Sequence, residues 1–384
     1  MKKKRRRLKK KPIISLVLFI ILIIFLIMIF NQKNYEHQGK INDSKKIEEK
    51  KKKNNDKKNG EDKKSMSIVM VGDVLIHESV YLDAKKEDGT YDFSKMFTDI
   101  RPIIKDYDLK YCNQESIIGG FNPSGYPNFN SPEEIGNNLV DLGFNMVSLA
   151  NNHAFDKGEK GILNSVSYWK RYNDVITAGS YDSLDSRNDI KIYEKNGIKY
   201  AFLSYTTGIN GNSLNGKDYL VNLYDKEKVK EDIDKVLDKT DIIIVAMHWG
   251  NEYTNEPTNS QREIAEYLSS IGVDLIIGTH PHVVQPIEYI NDTLVIYSLG
   301  NFISNQLVMG VNPAIGLLLG VEITIKDGEI NFNIKDEELI YSYSNNSKDF
   351  KVIPFSNLND NLLPNYKQVE EEYLKIVNKN LGDL

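Results

Sequence analysis

The sequence predicts a layered α/β body behind a basic and apolar N-terminal segment. Three observations carry that expectation. From residue 66 onward, short apolar runs alternate with stretches of helical periodicity. Several runs are uninterrupted, as in Ile242-Ile243-Ile244-Val245-Ala246. Such runs imply strands buried on both faces, hence sheets covered by helices or by another sheet. Charge is also segregated: residues 1–64 hold 21 Lys and Arg against 7 Asp and Glu, whereas residues 65–384 hold 28 against 47. An acidic body argues against nucleic acid as a partner, because that binding needs cationic surface against phosphates. It suits a protein that holds an anionic ligand through metal ions. The single cysteine, Cys112, excludes a disulfide within the chain and reads as strand core.

The N-terminal elements follow in order. Residues 1–11 form a basic tail, with nine Lys or Arg between Lys2 and Lys11. Residues 12–30 contain the apolar run Ile13 to Phe30, interrupted only by Ser15. As a helix it is about 27 Å long, close to the roughly 30 Å of a bilayer core. The run exceeds the h-region of a secretory signal peptide, and no small-x-small site follows, so it reads as an uncleaved signal anchor. The basic block places the N-terminus in the cytoplasm and the rest of the chain outside the cell membrane, with a single pass through the lipid bilayer. Residues 31–65, rich in Lys, Asn, Glu and Asp, read as a disordered tether because they offer too little apolar surface to offset chain entropy.

In the body the strand candidates are Ser67–Ile76, Leu109–Asn113, Asn145–Ala150, Lys199–Tyr205, Asp241–His248, Val273–Gly278 and Thr293–Ser298. The helix candidates are Pro132–Leu142, Gly158–Tyr172, Lys226–Leu237 and Ser260–Ile271. The first of these has a readable start, with Ser131 as cap, Pro132 in the first turn and Glu134 closing a capping box. Near the C-terminus, Gly316–Ile325 and Glu329–Ile334 flank Lys326-Asp327-Gly328, a hairpin signal. The glycines near 208–216 read as a loop with no phosphate-cradling pattern.

Five of the six histidines, all but His37, fall at or just beyond the ends of expected strands. In layered α/β folds ligands bind there. Five segments converge on this reading. Val71-Gly72-Asp73 ends a strand with a hard oxygen ligand, and His77 follows. Asn113-Gln114-Glu115-Ser116 supplies a carboxylate able to bridge two metals. Asn151-Asn152-His153 pairs an amide oxygen with an imidazole, though Asn also favours plain turns. His248-Trp249-Gly250-Asn251-Glu252 emerges from an apolar strand. Gly278-Thr279-His280-Pro281-His282 spaces two imidazoles two apart, which in extended backbone directs both to one side. Imidazole and oxygen ligands without thiolate suit Mn, Fe, Zn or a similar borderline metal.

Together with Tyr297-Ser298-Leu299-Gly300-Asn301-Phe302, these segments resemble the bacterial capsule-synthesis CapA family, called PgsA in poly-γ-glutamate systems. The resemblance spans roughly residues 66–305, leaving 306–384 as C-terminal strands and a helix that complete the domain. It implies a calcineurin-like metallophosphatase relative, a four-layer α/β/β/α sandwich with two divalent metal ions. It also implies metal ligands at Asp73, Glu115, Asn152, His248, His280 and His282, and a proton- or hydrogen-bond-donating His153. Asn151, Glu252 and Asn301 are expected to touch substrate. Such phosphatases carry Asp-x-His at the first segment; here position 75 is Leu, and His77 lies two residues further on.

Two functional expectations follow. In one, the chain is a membrane-anchored component of a synthase or exporter of an anionic capsular polymer such as poly-γ-glutamate, working beside other subunits. In the other, it is a metal-dependent phosphoesterase acting on an external phosphate ester or phosphodiester, with His153 assisting.

Overall fold

A computed structural model describes residues 63–381. The basic tail, the expected membrane anchor and nearly all of the expected tether lie outside those residues. Among the described residues, no helix is long and apolar enough to cross a membrane.

The body is mixed α/β, built on two sheets. The first runs in the order β14-β13-β12-β1-β2-β3-β4, with β11 also pairing β1. Its parallel half is β1 (Lys64–Val74), β2 (Leu109–Asn113), β3 (Met146–Ser148) and β4 (Ile176–Ala178). The second runs β5-β6-β7-β8-β10-β9. Its parallel centre is β6 (Ile198–Thr206), β7 (Ile242–His248), β8 (Leu275–Thr279) and β10 (Thr293–Ile296). Edge strands β5 (Ile192–Lys195) and β9 (Ile287–Ile290) are antiparallel.

Why the strands read as continuous apolar runs is now explicit. Along β1, Met66, Ile68 and Met70 enter the core between the sheets, while Val69 and Val71 enter a second core on the outer face. Along β7, Ile242, Ile244 and Ala246 face the first sheet, and Ile243, Val245 and Met247 pack outward. Alternate residues point to opposite faces, so a strand wet on neither face has no polar phase. Helices cover the two outer faces. Ile135 and Leu139 of helix Glu133–Asp141 pack on the first sheet. On the second, Val229 and Ile233 of helix Lys226–Val236 pack beside Ile264 and Leu268 of helix Asn259–Ser270. Those i, i+4 pairs are the apolar stripe expected of a one-sided helix. Between the sheets, Ser148 and Ser204 hydroxyls meet at 2.7 Å and Tyr111 packs edge-on to Phe202.

Several expected boundaries shift. β1 begins at Lys64 rather than Ser67, because Lys64 through Met70 pair with β12 (Ile315–Lys326). Strands β4, β5, β9, β11 (Asn301–Ile303) and β14 (Lys348–Pro354) were not expected; most are three or four residues long, too short for a period to show. The helix expected from Pro132 starts at Glu133 without its capping box. The Ser131 hydroxyl instead reaches the Ser116 hydroxyl at 2.8 Å, and Glu134 accepts from the Tyr91 amide. The hairpin forms at the expected turn: Asp327 and Gly328 both have positive φ, 53° and 82°, as a two-residue turn between right-twisted strands requires. Its second strand, β13 (Glu329–Asn345), runs well past Ile334.

Gly72 marks the tightest approach near the ligand-bearing end of β1. A Cβ placed there would lie 1.8 Å from the Gly300 carbonyl oxygen, a backbone atom that the Asp73 amide also uses at 3.0 Å. Gly72→Ala should therefore destabilise the body by about 3 kcal/mol, as overpacking against backbone does. A urea melt reads this directly; an unchanged midpoint would mean that the β1–β11 approach is looser than described.

Candidate metal centre

The carboxyl ends of β1, β2, β3, β7 and β8 deliver side chains to one buried cluster. Asp73 and Glu115 are fully buried, and His248 and His282 nearly so. Two groups of ligand atoms each fall within 4.8 Å of one another: Glu115, His280 and His282, and Asp73, Glu115 and His248. Glu115 belongs to both groups. Asn152, the remaining expected ligand, brings its Oδ1 to 2.9 Å from His248 Nε2, and His280 Nδ1 lies 3.1 Å from the same nitrogen.

The donors around this cluster suit a cation. Both oxygens of Glu115 are buried without a hydrogen-bond partner. Its Oε1 lies 3.6 Å from His248 Nε2 and 3.7 Å from His282 Nε2. Burial pushes the Glu115 carboxyl well above the usual carboxylate range, and the charges of Asp73 and Glu252 add to it. The imidazoles move the other way. Burial holds His248 well below its ordinary value, and burial, with the neighbouring His282, brings His280 down to about 4. Neutral imidazoles facing an unsatisfied carboxylate are a ligand set for a divalent metal: a cation would satisfy Glu115 and the lone pairs together.

The candidate ligands are held from behind. Asn113 Nδ2 donates to Asp73 Oδ1 at 2.7 Å. Thr279 Oγ1 lies 3.0 Å from His248 Nδ1, and Asn301 Oδ1 lies 3.0 Å from His282 Nδ1. Such outer contacts fix which ring nitrogen is free to bind. The His280-Pro281-His282 backbone is not extended, as the spacing argument assumed. His280 and His282 have φ of 96° and 59°, a left-handed path that still brings their rings to 5.9 Å. Positive φ at a non-glycine residue marks local strain, held here by the surrounding packing.

His153 sits beside Asn152, with its Nδ1 2.8 Å from Asp156 Oδ2. Asp156 also accepts from the Phe129 amide at 2.7 Å, so the carboxylate is fixed before it meets the ring. Phe129 packs edge-on to both His153 and His77. His77 itself is turned to the chain: its Nδ1 lies 3.1 Å from the Leu75 carbonyl and 3.1 Å from the Asn305 amide. It belongs to neither ligand group.

Of the residues expected to touch substrate, Glu252 is exposed. Asn151 and Asn301 are buried and have internal partners, Asn151 the Gln114 carbonyl and His153 amide, Asn301 the Pro313 carbonyl and Gln306. Sequence reasoning gave no role to Asn210, in the glycine-containing loop, whose amide reaches Asn152 and His153 at 3.3 Å. Nor did it assign Asp156, Thr279, Tyr253 or Gln306. Asp156 lay three residues past His153, the one cue that was available.

A two-sheet α/β protein with a buried carboxylate–imidazole centre at its strand ends is the class defined so far. Residues 67–306 match the family described as bacterial capsule synthesis protein PGA_cap, and the chain belongs to that family. The PGA biosynthesis protein CapA of Bacillus subtilis (strain 168) is 35% identical over 170 residues, 44% of this chain and 44% of that protein. The capsule biosynthesis protein CapA of Bacillus anthracis is 27% identical over 254 residues, 63% of this chain and 61% of that one. The chain thus spans about half of those relatives' lengths. Among solved structures, a phosphatase from Mycoplasma pneumoniae is similar at a TM-score of 0.44 and 16% identity, covering 71% of this chain and 94% of that one.

Two pH effects follow. His280 binds its proton only near pH 4 when folded but near 6.5 when unfolded, so the metal-free body should lose stability as pH falls from about 6.5 towards 4. Glu115, raised on folding, works against that loss. Melts of wild type and His280→Gln at pH 7 and pH 5 should show the variant losing less; equal losses would remove His280 as a source. Metal affinity should fall on acidification, because binding requires Glu115 to give up its proton. Titrating manganese at pH 6 and pH 8 in weak buffer, and following proton release, measures it.

Proposed function

We propose that this chain is a membrane-anchored, extracytoplasmic component of capsular polymer synthesis or export, of the poly-γ-glutamate kind, acting through a metallophosphatase-like centre of two divalent metals (Mn, Fe or Zn). The observation that carries the reading is the unsatisfied, buried Glu115 shared by two ligand groups, in a chain of a capsule synthesis family. Glu115, His280 and His282 would hold one ion, and Asp73, Glu115 and His248 the other, with Asn152 beside His248. Metals bound there supply positive charge for an anionic oxygen, a carboxylate of the polymer or a phosphate. The chain's own residues exclude water, keep the imidazoles neutral and fix their orientation. The basic block and the apolar run of residues 1–30 support the anchor, and other subunits and the polymer itself are the partners this role requires.

A second reading, metal-dependent hydrolysis of a phosphate ester, is favoured by one contact. With Nδ1 directed to Asp156, His153 can donate or accept a proton only at Nε2, as assistance to a leaving group needs.

The first test is metal content and capsule formation. Wild type should bind divalent metal, and His280→Ala should lose at least one ion per chain and fail to restore capsule to cells lacking the protein. Full restoration by a metal-depleted His280→Ala would sink the proposed role of the centre. Turnover of bis-p-nitrophenyl phosphate that falls about 100-fold or more in His153→Ala would move the chain to the hydrolytic reading.

A further inference from the structure

One polar chain behind the centre has its direction fixed by a single atom. The Pro313 carbonyl oxygen can only accept, and Asn301 Nδ2 donates to it at 2.7 Å. That contact settles which end of the Asn301 amide is nitrogen. Its Oδ1 therefore faces His282 Nδ1 at 3.0 Å, and an amide oxygen only accepts, so the ring proton sits on Nδ1. Asp73 Oδ2, another acceptor, lies 3.2 Å from the same nitrogen and requires the same proton. His282 Nε2 is left bare on the side of Glu115.

The polarity also runs outward. The second proton of Asn301 Nδ2 goes to Gln306 Oε1 at 2.8 Å. Gln306 must then present Nε2 to its other partner, the Tyr253 hydroxyl oxygen at 3.1 Å. Because that oxygen accepts from Gln306, the phenolic proton is free to point elsewhere. Asn301 and Gln306 are buried, whereas Tyr253 is half-buried, with its ring centroid 6.0 Å from that of His282. One backbone carbonyl thus orders both a ligand imidazole and a hydroxyl beside the centre.

The geometry points to Asn301 and Gln306 as positioning residues that hold His282 in its Nδ1–H form and make Tyr253 a hydrogen-bond donor to an anionic oxygen bound at the centre. The second half rests on the proposed metal centre; the first half does not.

The test has two arms on the full chain. In the metal-free protein, ring ¹⁵N shifts should report His282 as the Nδ1–H tautomer; the Nε2–H tautomer would overturn the relay. In the manganese-loaded protein, inorganic phosphate is the probe, and calorimetry the readout. Tyr253→Phe should weaken phosphate about tenfold, the loss expected of one hydrogen bond to a charged group. Gln306→Glu should weaken it similarly, because a carboxylate accepts from Tyr253 and draws the proton inward. Gln306→Met, unable to capture that proton, should lose less. The double variant Tyr253→Phe/Gln306→Glu should lose no more than Tyr253→Phe alone, a non-additivity that a merely structural glutamine would not give. Wild-type phosphate affinity in Tyr253→Phe, or additive losses, would overturn the donor role. If Gln306→Glu fails to fold, Tyr253→Phe decides alone. A chain that takes up no manganese would fail the proposed centre instead, and the tautomer arm would then judge the relay.

Discussion

Everything at the centre depends on one carboxylate placed where water cannot reach it. Glu115 is fully buried, no donor of the described residues meets either oxygen, and its neighbours include another acid, Asp73. A protein interior does not tolerate that arrangement cheaply. The surrounding imidazoles do not relieve it by protonation, since burial keeps His248 and His280 neutral. What remains is a proton on Glu115 itself, whose carboxyl burial pushes well above its usual range, or a cation in that proton's place.

The two-sheet architecture makes such convergence possible. β1 and β2 run parallel in one sheet, β7 and β8 in the other, and their carboxyl ends meet. Beside those ends the backbone of each sheet is packed against itself, at Gly72 against Gly300 and at Gly278, whose added Cβ would meet the Tyr297 carbonyl oxygen at 2.0 Å. The candidate ligands thus stand at or just past strand ends, and Asn210 reaches Asn152 and His153 from a loop. The amides and hydroxyls behind the candidate ligands, Asn113, Thr279 and Asn301, add direction.

Much of this was legible in the sequence, for identifiable reasons. Strands buried on both faces leave unbroken apolar runs, so β6, β7 and β8 could be read to within two residues of their ends. The ligand residues stand where those runs stop, and Asp73, Glu115, Asn152, His248, His280 and His282 do come together. What could not be read depends on three-dimensional neighbours. Asn301 sits in a motif but is buried against His282, while Gln306 and Asn210 are loop residues without any local pattern. The strained backbone at His280 and His282 is likewise set by packing rather than by spacing. Ser131 shows the converse: a locally sensible cap is overridden because a tertiary partner, Ser116, is nearer.

The place of β12 has a practical consequence for fragments. The family match ends at residue 306, yet β12 lies between β13 and β1 and carries the pairing of Lys64 through Met70. A chain trimmed to the matched region, 67–306, would keep every candidate ligand of the centre and bare the backbone of Ser67 through Met70 along its first strand. Open strand edges recruit other strands. Expression of the trimmed piece would therefore be a study in self-association before it was a study of the metal centre.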